Sequence, residues 1–237
     1  KEKLHEEWSP EQISKTCCDL NMVSHERIYK YIISDKKKGG ELYKKLRRKK
    51  KYKSRCKPKD NRGQLKECKS IKVRPKIVEE KSRIGDLEVD LILGANHRGA
   101  ILTINDRKSG YAWLKLLKSK DANQVSEKII KALRPYKEYI HTITSDNGKE
   151  FSNHKKISEK LNIDFYFAEP YSSWQRGANE NLNGLIRQYF PKKTNFEQLS
   201  WREVKFVENK LNKRPRKRLG FNSPKNEFIF LTKKVAF

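Results

Sequence analysis

Three carboxylates in this chain have the addresses that catalytic or metal-holding acids need. Asp90 lies within an alternating run, GDLEVDLILG, where its neighbours Val89 and Leu91 are apolar and a charge costs free energy unless something compensates it. Asp146 falls in SDNGKEF, where Asn147 and Gly148 supply a sharp turn that projects a carboxylate from a strand end. Glu180 sits in a long helical stretch, and Arg187 follows seven residues later, two turns along the same face. Acids delivered from separate rigid elements suit a divalent cation, because octahedral magnesium tolerates little disorder among its oxygen ligands. The Arg187 cation is then placed to steady a phosphodiester beside such ions.

Plainer readings compete at each position. Asp90 could be a solvated residue on a polar strand face shared with Asp86 and Glu88, and Asp86 is the second choice of ligand on that face. Asp146 could be an ordinary turn aspartate. Glu180 and Arg187 could pair on a surface helix, although seven residues exceeds the usual i,i+4 reach. Glu150 and Glu169 read as non-ligands, one within the SDNGKEF turn and the other in a loop before Pro170. Tyr171 and Trp174, beside Gln175 and Arg176, read as cap or core packing in preference to stacking on a base.

The elements that must position these acids are legible in the periodicity. From residue 84 apolar residues recur every second position (Leu87, Val89, Leu91, Leu93), which predicts a strand. Gly99 to Thr103 and Tyr111 to Leu117 predict two more, joined by a turn at DRKSG into an antiparallel meander. Asp121 caps a helix to about Arg134, with Val125, Ile129, Ile130 and Leu133 on one stripe. A strand at 140–144, a helix at 153–161, a strand at 163–168 and helices at 173–189 and 201–212 follow, before a basic tail. The order βββαβαβα predicts a mixed α/β layer fold without repeats.

Ahead of it, Ser9, Pro10 and Gln12 form a capping box opening a helix to about Leu20, and Ser24 caps a second helix carrying Ile28, Tyr31 and Ile32. This predicts a partial helix-turn-helix over 1–35, a module that ordinarily leans on a third helix. Residues 36–80 predict a basic linker: residues 36–76 alone hold 20 Lys and Arg against three Asp and Glu. The region 81–237 then forms the α/β domain with its basic tail.

Composition narrows the partner. The 237 residues carry 56 Lys and Arg against 29 Asp and Glu, a net charge of +27, which suits a polyanion whose condensed counterions are released on binding. Double-stranded DNA is the expected partner. Candidate contacts are His25, Arg27 and Lys30 on the second helix, Arg47, Arg48 and Lys49 in the linker, and Arg214, Arg216 and Arg218 in the KRPRKR run. No apolar run reaches the ~18–20 residues that cross a bilayer, and KEKLHEEWSP has no signal-peptide apolar stretch, so no membrane partner and a cytoplasmic, nucleoid-associated setting are expected. The cysteines Cys17, Cys18, Cys56 and Cys68 form no CxxC pair, which argues against a zinc site or a disulfide framework.

Read in order, WSPEQI, VSHERIYKYI, GGELYKKLRRK, RPKIVEE, GDLEVDLILG, TSDNGKEF, PYSSWQRGANENLNGLIRQYFPK and LNKRPRKRLGFNSP resemble the DDE transposases of bacterial insertion sequences of the IS-thirty type, relatives of retroviral integrases. The resemblance departs at Leu87 and Val89, where the family usually has Trp and Gly. It implies a ribonuclease-H-like fold, a triad of Asp90, Asp146 and Glu180 binding two magnesium (or manganese) ions, and Arg187 as the basic residue of the third acid's helix. It implies nicking at element ends and strand transfer by the freed 3′ hydroxyl, within a homodimer or larger assembly on DNA. It also implies a further N-terminal helical region, so the chain is expected to be a fragment. Two alternatives remain: a catalytically inactive DNA-binding repressor of the element, and a simple nuclease of the same fold.

Overall fold

A computed structural model of the chain describes residues 1–16, 23–47, 68–170 and 172–235. The chain divides into two compact units, one of residues 1–60 with 213–223 and the other of 61–212 with 224–237. The basic segment 213–223, expected in the tail of the α/β region, thus groups with the N-terminal residues.

In the smaller unit, α1 (Glu2–His5), α2 (Pro10–Thr16) and α3 (His25–Lys37) surround a core of Leu4, Ile32 and Leu42. The capping box closes in both directions: Gln12 N–H donates to Ser9 Oγ at 3.2 Å, and Ser9 N–H donates to Gln12 Oε1 at 2.8 Å. Ser24 caps α3 by accepting from Arg27 N–H at 3.3 Å. Residues 17–22 between α2 and α3 lie outside the described residues, as do Cys17, Cys18 and Cys56. The 213–223 segment ties in through Gln12 Nε2 donating to the Pro215 carbonyl at 2.6 Å, Lys217 to Glu11 at 2.7 Å, and Arg214 to Glu7 at 3.6 Å.

The larger unit contains β1 (Lys69–Ser70), α4 (Lys76–Glu80), β2 (Asp86–Leu93), β3 (Ala100–Asp106), β4 (Ala112–Leu117), α5 (Ala122–Leu133), β5 (Thr142–Ser145), α6 (His154–Leu161), β6 (Asp164–Phe167), α7 (Gly177–Tyr189), α8 (Trp201–Lys213) and α9 (Pro224–Val235). Its sheet runs β1-β6-β5-β2-β3-β4, with β2, β3 and β4 antiparallel and β2, β5, β6 and β1 parallel. This is the mixed α/β layer arrangement predicted above, a six-stranded sheet with helices on both faces. Strand β1 and α4 fall inside the 36–80 stretch read as linker. Gly85 starts β2 at φ +88°, and a Cβ there would lie 1.6 Å from the Tyr139 carbonyl oxygen, so no side chain fits where the strand begins.

Alternation in β2 sorts the two layers. Leu87 and Val89 face a core with α5 and α6 (Val125, Ile129, Leu133, Ile157, Leu161), whereas Ile92 joins α7 and α8 (Leu182, Leu185, Ile186, Val204, Leu211) on the other face. Asp121 caps α5 as expected, accepting from Asn123 and Gln124 N–H at 3.0 Å each. The C-terminal tail is a correction: it contains α9, whose Phe228 is buried against Tyr111, Trp113 and Tyr136. Among the described residues no helix is long and apolar enough to cross a membrane.

Candidate functional site

The site is set by strand register. β2 and β5 are parallel neighbours whose pairing ends with Glu88 opposite Thr144, and Asp90 and Asp146 follow just beyond it, both within reach of one side chain, Arg176. Asp146 follows the last residue of β5, and its Oδ1 accepts from Gly148 N–H at 3.1 Å, closing the turn expected of SDNG. Asn147 Nδ2 donates to the Ala168 carbonyl at 2.7 Å and anchors that turn to the end of β6.

Helix α7 covers the polar face of β2 with a stripe of its own. Four helical residues rise about 6 Å and two strand residues about 6.6 Å, so polar positions four apart on α7 match positions two apart on β2. Asn179 N–H donates to Glu88 Oε2 at 2.9 Å, and Asn183 Nδ2 donates to Asp90 Oδ2 at 2.9 Å. Thr103, opposite Asp90 on β3, has its hydroxyl 3.3 Å from Asn183 Oδ1 and 3.2 Å from the Asp90 carbonyl. Asp90 Oδ1 also accepts from Leu91 N–H at 2.9 Å.

Between the two aspartates lies a cation that sequence reading did not assign to the site. Arg176, immediately before α7, brings Nη1 within 3.4 Å of Asp90 and Nη2 within 3.3 Å of Asp146. Its side chain is 10% exposed, against 19% for Asp90 and 33% for Asp146. Burial pushes the Asp90 carboxyl above its ordinary value; Arg176 opposes that shift and the neighbouring Asp146 charge adds to it. The available signal was the stripe Arg176, Asn179, Asn183, Arg187 at helical spacing, which lines up on β2.

The polar face of β2 is not solvated, which removes the plainer reading of Asp90. Asp86, fully buried, pairs with Arg83 at 2.9 Å and accepts from the Thr142 hydroxyl at 2.8 Å, a structural pair away from Asp146. Glu88, 1% exposed, pairs with Arg107 at 2.7 Å. Glu180 is exposed on the first turn of α7, one turn before Asn183. Arg187 is not brought to the aspartates: its guanidinium donates to the Leu93 carbonyl at 2.8 Å and to the Phe190 and Pro191 carbonyls at 3.4 Å each. Glu169 pairs with Lys72 at 2.6 Å. Trp174, read as packing, is 70% exposed, a correction explained by its place on an open turn; Tyr171 lies outside the described residues.

The residues read as DNA contacts divide. His25, Arg27 and Lys30 are exposed along α3, and Arg47 and Arg218 are exposed. Arg216 is half-buried, while Arg214 is buried and pairs with Glu7. Arg48 and Lys49 lie outside the described residues. Among the described residues no three His, Cys, Asp or Glu side chains form a ready metal-ligand cluster. Even so, Asp90 and Asp146 already converge on one cation, and their hard carboxylate oxygens fit magnesium or manganese.

No family profile matches the chain. It is 50% identical over 239 residues to the transposase for insertion sequence element IS4351 of Bacteroides fragilis, a match covering 99% of this chain and 73% of that one. It is 36% identical over 239 residues to the transposase for IS1086 of Cupriavidus metallidurans, covering 93% of this chain and 68% of that one. It is 36% identical over 237 residues to transposase InsI for IS30A of Escherichia coli K12, covering 94% and 62%. Among solved structures it is similar to the catalytic core domain of BIV integrase, with a TM-score of 0.49 and 18% identity over 64% of this chain and 98% of that one.

Proposed function

Since the chain belongs to the transposases of IS30-type insertion-sequence elements, we propose that it cuts DNA at the ends of such an element and joins the freed 3′ hydroxyls to a target. The observation that carries this reading is the convergence of Asp90 and Asp146, from neighbouring strands, on a single cation. Asp90, Asp146 and Glu180 are the residues that would hold two magnesium or manganese ions. Ions held there supply activation of the attacking water or 3′ hydroxyl and stabilisation of the leaving oxygen.

The chain's own residues prepare that site. Asn183 and Leu91 N–H hold the two Asp90 oxygens in place, so the carboxylate does not have to be ordered when ligands arrive. The Asp146 turn is fixed by Gly148 N–H and by Asn147 at the end of β6. Glu180 stands at the open start of α7, where an exposed carboxylate can meet ions and DNA together. Double-stranded DNA is the proposed partner, positioned by exposed basic residues such as Arg27 and Lys30, with at least two copies acting on paired ends.

The test compares wild type with Asp146→Asn on DNA carrying element ends. The expected result is magnesium-dependent cleavage and joined products for wild type, and loss of both for the variant with DNA affinity retained. Full strand transfer by Asp146→Asn refutes the assignment. Binding without cleavage by wild type supports the repressor reading, and cleavage without joining supports the nuclease.

A further inference from the structure

The contacts of Arg176 are long for the charges involved. Charge-assisted N–H···O bonds typically measure about 2.7–2.9 Å, and the buried pair Arg107–Glu88 in the same sheet does so at 2.7 Å. Arg176 instead lies at 3.4 Å from Asp90, 3.3 Å from Asp146 and 3.5 Å from the Val89 carbonyl, and its buried Nε has no hydrogen-bond partner. The guanidinium therefore supplies charge between two carboxylates without the geometry of a committed pair. Asp90 takes its short bonds elsewhere, from Leu91 N–H and Asn183.

The segment that carries Arg176 is short and is tied beside the site through Gln175, whose Oε1 accepts from Glu169 N–H at 2.8 Å. Arg176 is the last residue of a 3₁₀ turn, Ser173–Arg176, ahead of α7, whose own anchors begin at the buried Asn179. Short 3₁₀ stretches abutting helices are common places for a chain to adjust. The large apolar side chain of the turn, Trp174, is 70% exposed, so the turn is not held by burial of that ring.

We propose that Arg176 is a resident counter-cation that holds the Asp90 and Asp146 carboxylates together and gives way to divalent ions, so that ion entry and movement of the 173–176 turn are one exchange. Two facing carboxylates repel each other, and one positive charge between them keeps the pair assembled at low cost. An incoming divalent ion competes for the same oxygens. Its apparent affinity is reduced by the fraction of molecules in which Arg176 still occupies them. The inference rests on the reading above that these two aspartates are ion ligands.

The experiment measures Mn²⁺ binding to the full chain without DNA, by electron paramagnetic resonance, for wild type, Arg176→Gln, Arg176→Lys and Asp146→Asn. Removing the competitor is expected to tighten Mn²⁺ binding in Arg176→Gln by about tenfold. Arg176→Lys, which keeps the charge, is expected to stay near wild type. In wild type, Mn²⁺ is also expected to shift the Trp174 fluorescence, identified by its loss in Trp174→Phe, and Arg176→Gln is expected to abolish that shift. Equal or weaker Mn²⁺ binding by Arg176→Gln, while Asp146→Asn binds none, overturns the exchange and leaves the ion-site reading intact. If Asp146→Asn binds Mn²⁺ as wild type does, the ion-site reading falls and the exchange falls with it. Should Arg176→Gln not fold, an unchanged Trp174 signal on adding Mn²⁺ to wild type overturns the proposal by itself.

Discussion

Glu88 and Asp90 stand two residues apart on one face of β2, and their partners differ in kind. Glu88 is enclosed: Arg107 pairs with it at 2.7 Å, Asn179 N–H donates at 2.9 Å, Arg107 reaches Glu79 at 3.1 Å, and Arg74 links Glu79 to the Thr144 hydroxyl. This chain of charges, buried at Glu88, Arg107 and Arg74 and open to solvent at Glu79, holds the start of α7 over the sheet through the Asn179 N–H bond to Glu88. Removing one partner of a buried pair strands the other in a low-dielectric interior, at a typical cost of about 3–5 kcal/mol. Glu88→Ala is therefore expected to lower the unfolding free energy by about 3 kcal/mol, read from the urea midpoint of the metal-free protein. An unchanged midpoint would show that Arg107 finds a new partner. Alternation placed Glu88 on the right face of the strand, but its role was hidden because its partners come from 19 and 91 residues away in the chain.

At the scale of elements, local signals that involve only near neighbours were legible. The two-residue period of β2, the Asp121 cap of α5 and the Ser9–Gln12 box each depend on residues within a few positions, and each forms as read. What escaped notice depends on distant packing. Helix α9 sits in a segment that reads as basic tail, although Ser223-Pro224 is a helix start and Phe228 an anchor. Phe228 stacks on Tyr111 with ring centroids 4.7 Å apart and meets the edges of Trp113 at 5.4 Å and Tyr136 at 5.5 Å. Phe228→Ala empties that aromatic cluster and is expected to cost about 3–4 kcal/mol, measured by denaturant unfolding followed through Trp113. A loss below about 1 kcal/mol would mean that the neighbouring rings collapse into the space. Likewise, Arg176 shares the helical spacing of Asn179, Asn183 and Arg187, but nothing local says which carboxylates it meets, because Asp90 and Asp146 reach it from two strands distant in the chain.

For the whole molecule, a net charge of +27 on 237 residues sets a strong attraction to polyanions, and the exposed cations of α3 share in it while Arg214 does not. The chain also leaves its smaller unit after residue 60, returns for 213–223 and departs again. Genuine separation of the two units therefore takes more than one cut. A protease site inserted within 48–67 would yield two polypeptides still joined within the smaller unit by Gln12 on Pro215, Glu11 on Lys217 and Glu7 on Arg214. The nicked protein is expected to elute from a sizing column as a single species and to come apart only in denaturant. Elution of the two fragments as separate, later peaks would mean the clasp is too weak to hold. The same threading makes residues 1–60 expressed by themselves a half without its mate, so any study of isolated N-terminal DNA recognition must supply the 213–223 peptide as a second strand of the clasp.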